Sequence, residues 1–427
     1  MLEYVPGQLI VRVHAQAVRP SVGAARLSMT AASARLVPDV VAEPLNFLAR
    51  EAGVREARPL FAPSRATTAR LARPDQLRLA VARSVAESES EELAGLTVIE
   101  LSRKQVSAKT LERVASSPGI EFVEQMPARW LAASPAANPS RNRQWGLRAV
   151  RWFEAAHPDA GGVTSAVLDS GIDEGHPELS GAIDRHERRG LSARDIIGHG
   201  THVAGIIAAA TSDSAGITGV ANCRLAIWKV FPDEPTQGDF YVDGTRYLRA
   251  LNEVIVAGAK VLNLSLGGTA RSQTEQLLFN RLERFGVTVV AAMGNDFERG
   301  NPIEYPAGYD TILAVGSIAE NDQRSPFSNT GRQIGLVAPG SNVLSTLPRT
   351  RSDYRADTNY AAWSGTSMAT PHVAGAAASI IAKHADWSAT DVKEHLRSTA
   401  AKLNAMQGKT RTEAYGNGLL DLRAALS

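Results

Sequence analysis

The feature that most constrains this chain is a series of short, nearly uninterrupted apolar runs in its C-terminal two-thirds. They read TSAVLD (164–169), RLAIWKVF (224–231), AKVLNLSL (259–266), GVTVVAAMG (286–294) and TILAVGSI (311–318), and helical stretches separate them. A strand apolar on both faces is buried on both faces. The pattern therefore predicts an α/β three-layer fold, a mainly parallel sheet covered by helices. Chemistry-bearing residues in such sheets collect at the carboxyl ends of the strands.

The N-terminal part reads differently. Strand signals at 8–14, 96–102 and 120–126, with helical patterns at 41–52 and 107–118, predict a small α+β domain over residues 1–132. The Pro-, Asn-, Ser- and Arg-rich stretch 133–143 reads as a linker, leaving 144–427 as the main domain; 62–74 is a second break-like segment. The 427 residues carry 46 basic and 44 acidic groups, a net charge of +2, with no long single-sign run, so nucleic acid is not an expected partner. The C-terminal run VAGAAASIIA has about half the length of a membrane span, so no membrane partner is expected. A single cysteine, Cys223, excludes an internal disulfide. As written, the sequence shows no signal peptide and suits a cytoplasmic protein; it suits equally an exported one whose leader was trimmed.

Four positions stand out at the predicted strand ends and helix starts. Asp169 closes the first apolar strand, His199 opens the helical run HGTHVAGIIAAA, Asn295 follows GVTVVAAMG, and Ser367 sits in WSGTSMATPHVAG. Each has a plain structural reading: turn cap, helix start, strand terminator, helix N-cap. His199 and His202 could pair on a metal, but no further ligand stands at metal-site spacing. One chemistry uses all four. A serine hydroxyl needs a histidine to take its proton, the histidine needs a carboxylate to orient it, and the tetrahedral oxyanion needs fixed donors. Pro371 is expected in the first turn of the Ser367 helix, where a missing N–H costs little.

AVLDSGID, HGTHVAG, LSLGG, AAMGN and GTSMATPHVAG resemble, in order, the motif blocks of the subtilisin-like serine proteases (subtilases) over 144–427. The resemblance implies Asp169 as orienting acid, His199 as general base, Ser367 as nucleophile and Asn295 as oxyanion donor, with His202 structural. It implies that Ser265, Leu266, Gly267 and Gly268 pair with the backbone of a polypeptide substrate. YVPGQLIVRV and PGIEFVEQMPARW resemble the ends of the family's inhibitory prodomain. That implies a ferredoxin-like fold with a long insertion at 19–94, acting as an intramolecular inhibitor that is cut off between about Arg129 and Arg143. The expected activity is serine endopeptidase. A dedicated processing protease or peptide ligase shares its first half-reaction, and a binding protein on a dead protease fold is the alternative from another class. Sedolisin-like relatives, with an acidic base, are excluded by His199 and Asn295.

The chemistry implied needs no cofactor. Loop 210–219 resembles the family's calcium loop, with Asp213 as charged ligand of a structural Ca2+; Glu178 replaces the usual aspartate, and an ordinary loop is the alternative. By the YPA landmark, Glu304 falls at the floor of the specificity pocket and Asp296 at its rim. That placement implies either an acidic pocket for Lys or Arg, or a Glu304 turned into solvent.

Overall fold

The computed structural model describes residues 2–22, 37–61, 73–88, 90–131, 134–135, 144–210, 216–236 and 239–427. The chain divides into two units, Met1–Ala128 and Arg129–Ser427. No helix among the described residues is long and apolar enough to cross a membrane.

The first unit is an α+β layer pair. Strands β1 (Tyr4–Val13), β2 (Val54–Pro59), β3 (Leu96–Leu101) and β4 (Ile120–Pro127) form an antiparallel sheet in the order β2-β3-β1-β4. Helices α1 (Ala15–Val22), α2 (Asp39–Leu48), α3 (Arg73–Ala86) and α4 (Ala108–Ala115) accompany it. Val11, Ile99, Leu45, Leu77, Val81 and Val114 meet in the core between them. The stretch expected as an insertion is therefore partly integral, because it supplies the edge strand β2 and α3. The sequence hid β2, since VREARP places charged residues on an edge strand, where unpaired backbone is commonly protected that way. Residues 62–72 of the expected break lie outside the described residues.

In the second unit, seven parallel strands form one sheet. Its order is β14 (Ile334–Pro339), β13 (Leu313–Ile318), β12 (Thr288–Ala292), β10 (Val261–Leu264), β7 (Thr164–Asp169), β9 (Arg224–Lys229), β8 (Ile183–Glu187). Beyond β10 the chain runs outward through β12, β13 and β14, while β9 and β8 lie on the other side of β7, so the crevice between the carboxyl ends of β7 and β10 is the switch point at which ligands bind in such sheets. Helices α5 (Trp145–Ala149), α6 (His199–Ala208), α7 (Gly244–Val256), α8 (Gln273–Arg284), α9 (Thr366–Lys383), α10 (Ala389–Ser398) and α11 (Leu422–Ala425) complete the unit. Helix α6 is buried along its whole length, and α9 along nearly all of it.

The apolar run 259–266 does not continue as one strand. Past Leu264 the chain leaves the sheet, and β11 (Leu266–Gly267) pairs antiparallel with β5 (Trp130–Leu131). A separate antiparallel sheet joins β15 (Val343–Thr346), β16 (Tyr360–Ser364) and β6 (Ser134–Pro135).

Candidate active site

Asp169 ends β7 and His199 opens α6, and the fold brings them together. His199 Nδ1 lies 2.8 Å from Asp169 Oδ1 and 3.0 Å from Oδ2, with both side chains almost fully buried. The close approach depends on Gly200, where a Cβ would stand 2.1 Å from the Gly171 carbonyl and 3.1 Å from Asp169 Cβ. With Nδ1 donating to a carboxylate, Nε2 is the basic nitrogen, and it makes no hydrogen bond.

Ser367 is the second residue of α9, a helix packed against α6. Its hydroxyl donates to the Ser265 carbonyl at 2.9 Å, and the Ser265 hydroxyl donates back to the Ser367 carbonyl at 2.9 Å. The second bond is open because of Pro371. This proline lies at the sixth helical position rather than in the first turn as expected, and it has no N–H to offer the carbonyl four residues earlier. The lost rung of the helix thus becomes the tie between Ser367 and the end of β10.

Asn295 follows β12. Its Oδ1 accepts from the Thr366 backbone N–H and hydroxyl, both at 2.9 Å. A backbone N–H can only donate, so the amide orientation is fixed, and its NH2 is left for another acceptor. His202 is committed elsewhere: Nε2 bonds the Ala361 carbonyl at 3.0 Å and the ring stacks on Trp363 at 5.0 Å. Burial pulls its pKa down to about 3. Among the described residues, no group of three metal-ligating side chains occurs.

Of Ser265, Leu266, Gly267 and Gly268, the middle two form β11 and pair with the chain's own residues 130 and 131, and Gly268 bridges to Tyr305. Trp130 stands opposite Gly267 and Leu131 opposite Leu266, while Ser134 and Pro135 stand opposite Ser364 and Trp363. Trp130 is also bridged to Tyr241, and the Val242 N–H donates to the Arg129 carbonyl at 2.9 Å. Residues 130 and 131 are thus held as an added strand, one way in which sheets bind peptides.

Glu304 lies beside β11 and is 1% exposed, so it does not turn into solvent. A Cβ on Gly267 would come within 2.5 Å of its Oε2, and one on Gly294, at φ +105°, within 2.1 Å of Oε1. Oε1 accepts from Asn329 Nδ2 at 2.9 Å; Oε2 has no hydrogen-bond partner. Burial, reinforced by the Asp296 charge, pushes its pKa up to about 8. At neutral pH the Glu304 carboxyl is therefore mostly uncharged. Asp296 itself pairs with Arg299 at 3.3 Å.

Sequence reading overlooked a second carboxylate, Glu275 in the first turn of α8. It makes a two-point ion pair with Arg129, through Nε to Oε1 at 2.9 Å and Nη2 to Oε2 at 2.5 Å, with both side chains fully buried. At the expected calcium loop, Asp213 lies outside the described residues. Glu178 is buried, with Oε1 accepting from the Tyr360 hydroxyl at 2.7 Å and Oε2 free of hydrogen bonds. One oxygen suits a hard cation but does not by itself make a cage.

An Asp–His pair and a serine at a helix N-terminus, on the carboxyl edge of a parallel three-layer sheet, define an α/β protein equipped for acyl transfer. Residues 160–418 match the subtilase family, and the chain belongs to it. It is 37% identical to subtilisin E of Bacillus subtilis (strain 168) over 268 residues, which are 62% of this chain and 65% of that protein. It is 37% identical to an alkaline protease of Alkalihalobacillus alcalophilus over 338 residues, 77% of this chain and 78% of the relative. The fold is similar to the crystal structure of fervidolysin from Fervidobacterium pennivorans, a keratinolytic enzyme related to subtilisin. The TM-score is 0.72 at 24% identity, covering 99% of this chain and 61% of that one.

Proposed function

We propose that this chain is a serine endopeptidase whose N-terminal region occupies and inhibits its own groove. The observation that carries the reading is the oriented His199, with Nδ1 on Asp169 and Nε2 unpartnered, on a helix packed against the one whose second residue is Ser367. Rotation of the Ser367 hydroxyl away from the Ser265 carbonyl brings its proton to Nε2. Oγ then attacks the scissile carbonyl as His199 takes that proton, and Asp169 stabilises the imidazolium. The oxyanion is received by the Asn295 NH2 and the Ser367 N–H at the positive end of α9. His199 passes the proton to the leaving amine as the C–N bond breaks, and water, deprotonated by the same histidine, resolves the acyl-enzyme. No cofactor takes part. A structural calcium on loop 210–219, with Asp213 and one oxygen of Glu178, is an accessory to this reading, and no step runs through it.

The proposal extends to one processing bond. What supports it is the pairing on either side, Leu131 with Leu266 and Ser134 with Ser364, close in sequence to Ser367. We place the self-cleavage at Ala132–Ala133, inside the window expected from sequence. The neutral Glu304 floor favours a small residue before the cut, and Ala132 is one.

Mass spectrometry of the purified full chain tests both statements. The wild type should yield a new N-terminus at Ala133 and label with a fluorophosphonate. Ser367→Ala should stay uncut and unlabelled and lose several orders of magnitude in peptide hydrolysis, as in subtilisin itself. Residues 1–132, added in excess, should inhibit the processed enzyme. A labelled Ser367→Ala protein would sink the mechanism; a fragment without effect would sink the inhibition.

A further inference from the structure

The Arg129–Glu275 pair is out of keeping with its surroundings. The guanidinium is fully buried, and its acceptors include both Glu275 oxygens and, at 2.8 Å, the Ala270 carbonyl. The Tyr309 hydroxyl lies 2.8 Å from Glu275 Oε2 and 2.9 Å from the Ser272 carbonyl, and accepts the Ser272 N–H at 2.8 Å. This is a built cavity with a negative end. Its occupant belongs to the segment that lies on β11 as a substrate would, one residue before the paired Trp130.

We infer that Glu275 is a specificity-determining residue, and that the enzyme selects polypeptides with arginine four residues before the cut bond. The inference rests on the protease reading and on cleavage at Ala132–Ala133, which makes Arg129 the fourth residue back. Once the tail departs, Glu275 is a carboxylate in a narrow, mostly enclosed cavity with no cation. An incoming arginine restores two parallel N–H to oxygen bonds and the bond to the Ala270 carbonyl. A leucine there would leave the carboxylate desolvated and unpaired, so the pocket rejects apolar residues as well as accepting a basic one. Lysine can neutralise Glu275 but cannot span both of its oxygens and the carbonyl at once. The cation-selecting site is therefore three residues upstream of the position at which Glu304 first suggested it.

The test uses the full chain after self-processing and internally quenched peptides built on MPARWLAASPA, varied only at the arginine. Wild type should prefer Arg over Leu by roughly 10²-fold or more in kcat/KM, the discrimination expected where a mismatched ligand leaves a buried polar group unpaired, with Lys between. Glu275→Gln should remove most of that preference through the Arg peptide alone. Glu275→Leu should reverse it, which keeps the test usable if one variant folds poorly. Equal rates on Arg and Leu peptides by a wild-type enzyme that labels with fluorophosphonate and cuts casein would overturn this inference and leave the protease reading standing. An enzyme that neither labels nor cuts would instead overturn the protease reading on which it rests.

Discussion

Two glutamates lie buried near the short strand β11 and its partner β5, and they are in opposite situations. Glu275, fully buried, shares its cavity with a guanidinium and a phenol. Glu304, 1% exposed, has an amide, an unpartnered oxygen, a nearby aspartate and a pKa of about 8. Burial disfavours the charged form of Glu304, whereas Glu275 meets a guanidinium bonded to both of its oxygens. A carboxylate read from sequence therefore says little about the charge of a pocket until its partner is known.

The comparison breaks first at Arg129. In the uncut Ser367→Ala chain, Arg129→Leu leaves Glu275 buried without a cation, at a cost of about 3 kcal/mol or more. The tail should loosen, and the Val242 amide, which donates to the Arg129 carbonyl, should exchange hydrogen roughly 10²-fold faster. Pairing Arg129→Leu with Glu275→Leu should recover much of the protection, since an apolar pair can replace a buried ionic one. Unchanged exchange in the single variant would mean that the ion pair does not hold the tail.

Glu304 predicts the opposite sign. Its carboxyl is raised from 4.5 to about 8, so between those values the folded chain holds a proton that the unfolded chain has lost. Stability contributed by this group is therefore greatest below pH 4.5 and falls as pH rises towards 8. Glu304→Gln removes that fall. Its stability relative to wild type should grow from pH 5 to pH 8 by roughly 3 kcal/mol, and level off above. Denaturant melts of uncut Ser367→Ala protein across that range provide the measurement. A difference independent of pH would place the carboxyl's titration elsewhere.

Much of the second unit was legible in the sequence because its signals are local. Five apolar runs gave five strands of the seven-stranded sheet, and the motif blocks placed Asp169, His199, Asn295 and Ser367 at the strand ends and helix starts where the structure has them. The polar edge strand β8 carried a weaker pattern, and the other edge strand, β14 (IGLVAP), was not singled out. Glu275 was hidden for a specific reason. Glu275 stands three residues after Ser272, whose hydroxyl caps the helix by accepting the Glu275 N–H at 3.2 Å. Yet the Ser272 N–H goes to Tyr309, and the Glu275 carboxylate reaches Arg129, 146 positions away in the chain. No local pattern announces such a pair. The departure of Pro371 from the first helical turn was missed for a similar reason: its value lies in the Ser265 hydroxyl it admits, which only the tertiary fold brings near.

The smallest expected effect lies in the chemistry at the pocket floor. If Glu304 is mostly protonated at neutral pH, it repels nothing and attracts nothing. Above about pH 8 it becomes an anion facing the residue before the cut. The ratio of kcat/KM for peptides with Arg and with Ala at that position cancels every pH dependence that both substrates share, and arginine keeps its charge throughout. Between pH 6.5 and 9.5 the ratio should rise about tenfold in wild type, a modest factor because ionisation of the floor is itself costly. It should stay flat in Glu304→Gln. A wild-type ratio that is already high at pH 6.5 would mean that Glu304 is ionised there, and the contrast between the two glutamates would be lost. A ratio flat in both proteins would mean that Glu304 seals the pocket by its bulk alone, so that the Arg129–Glu275 site carries the whole of the enzyme's selectivity for charge.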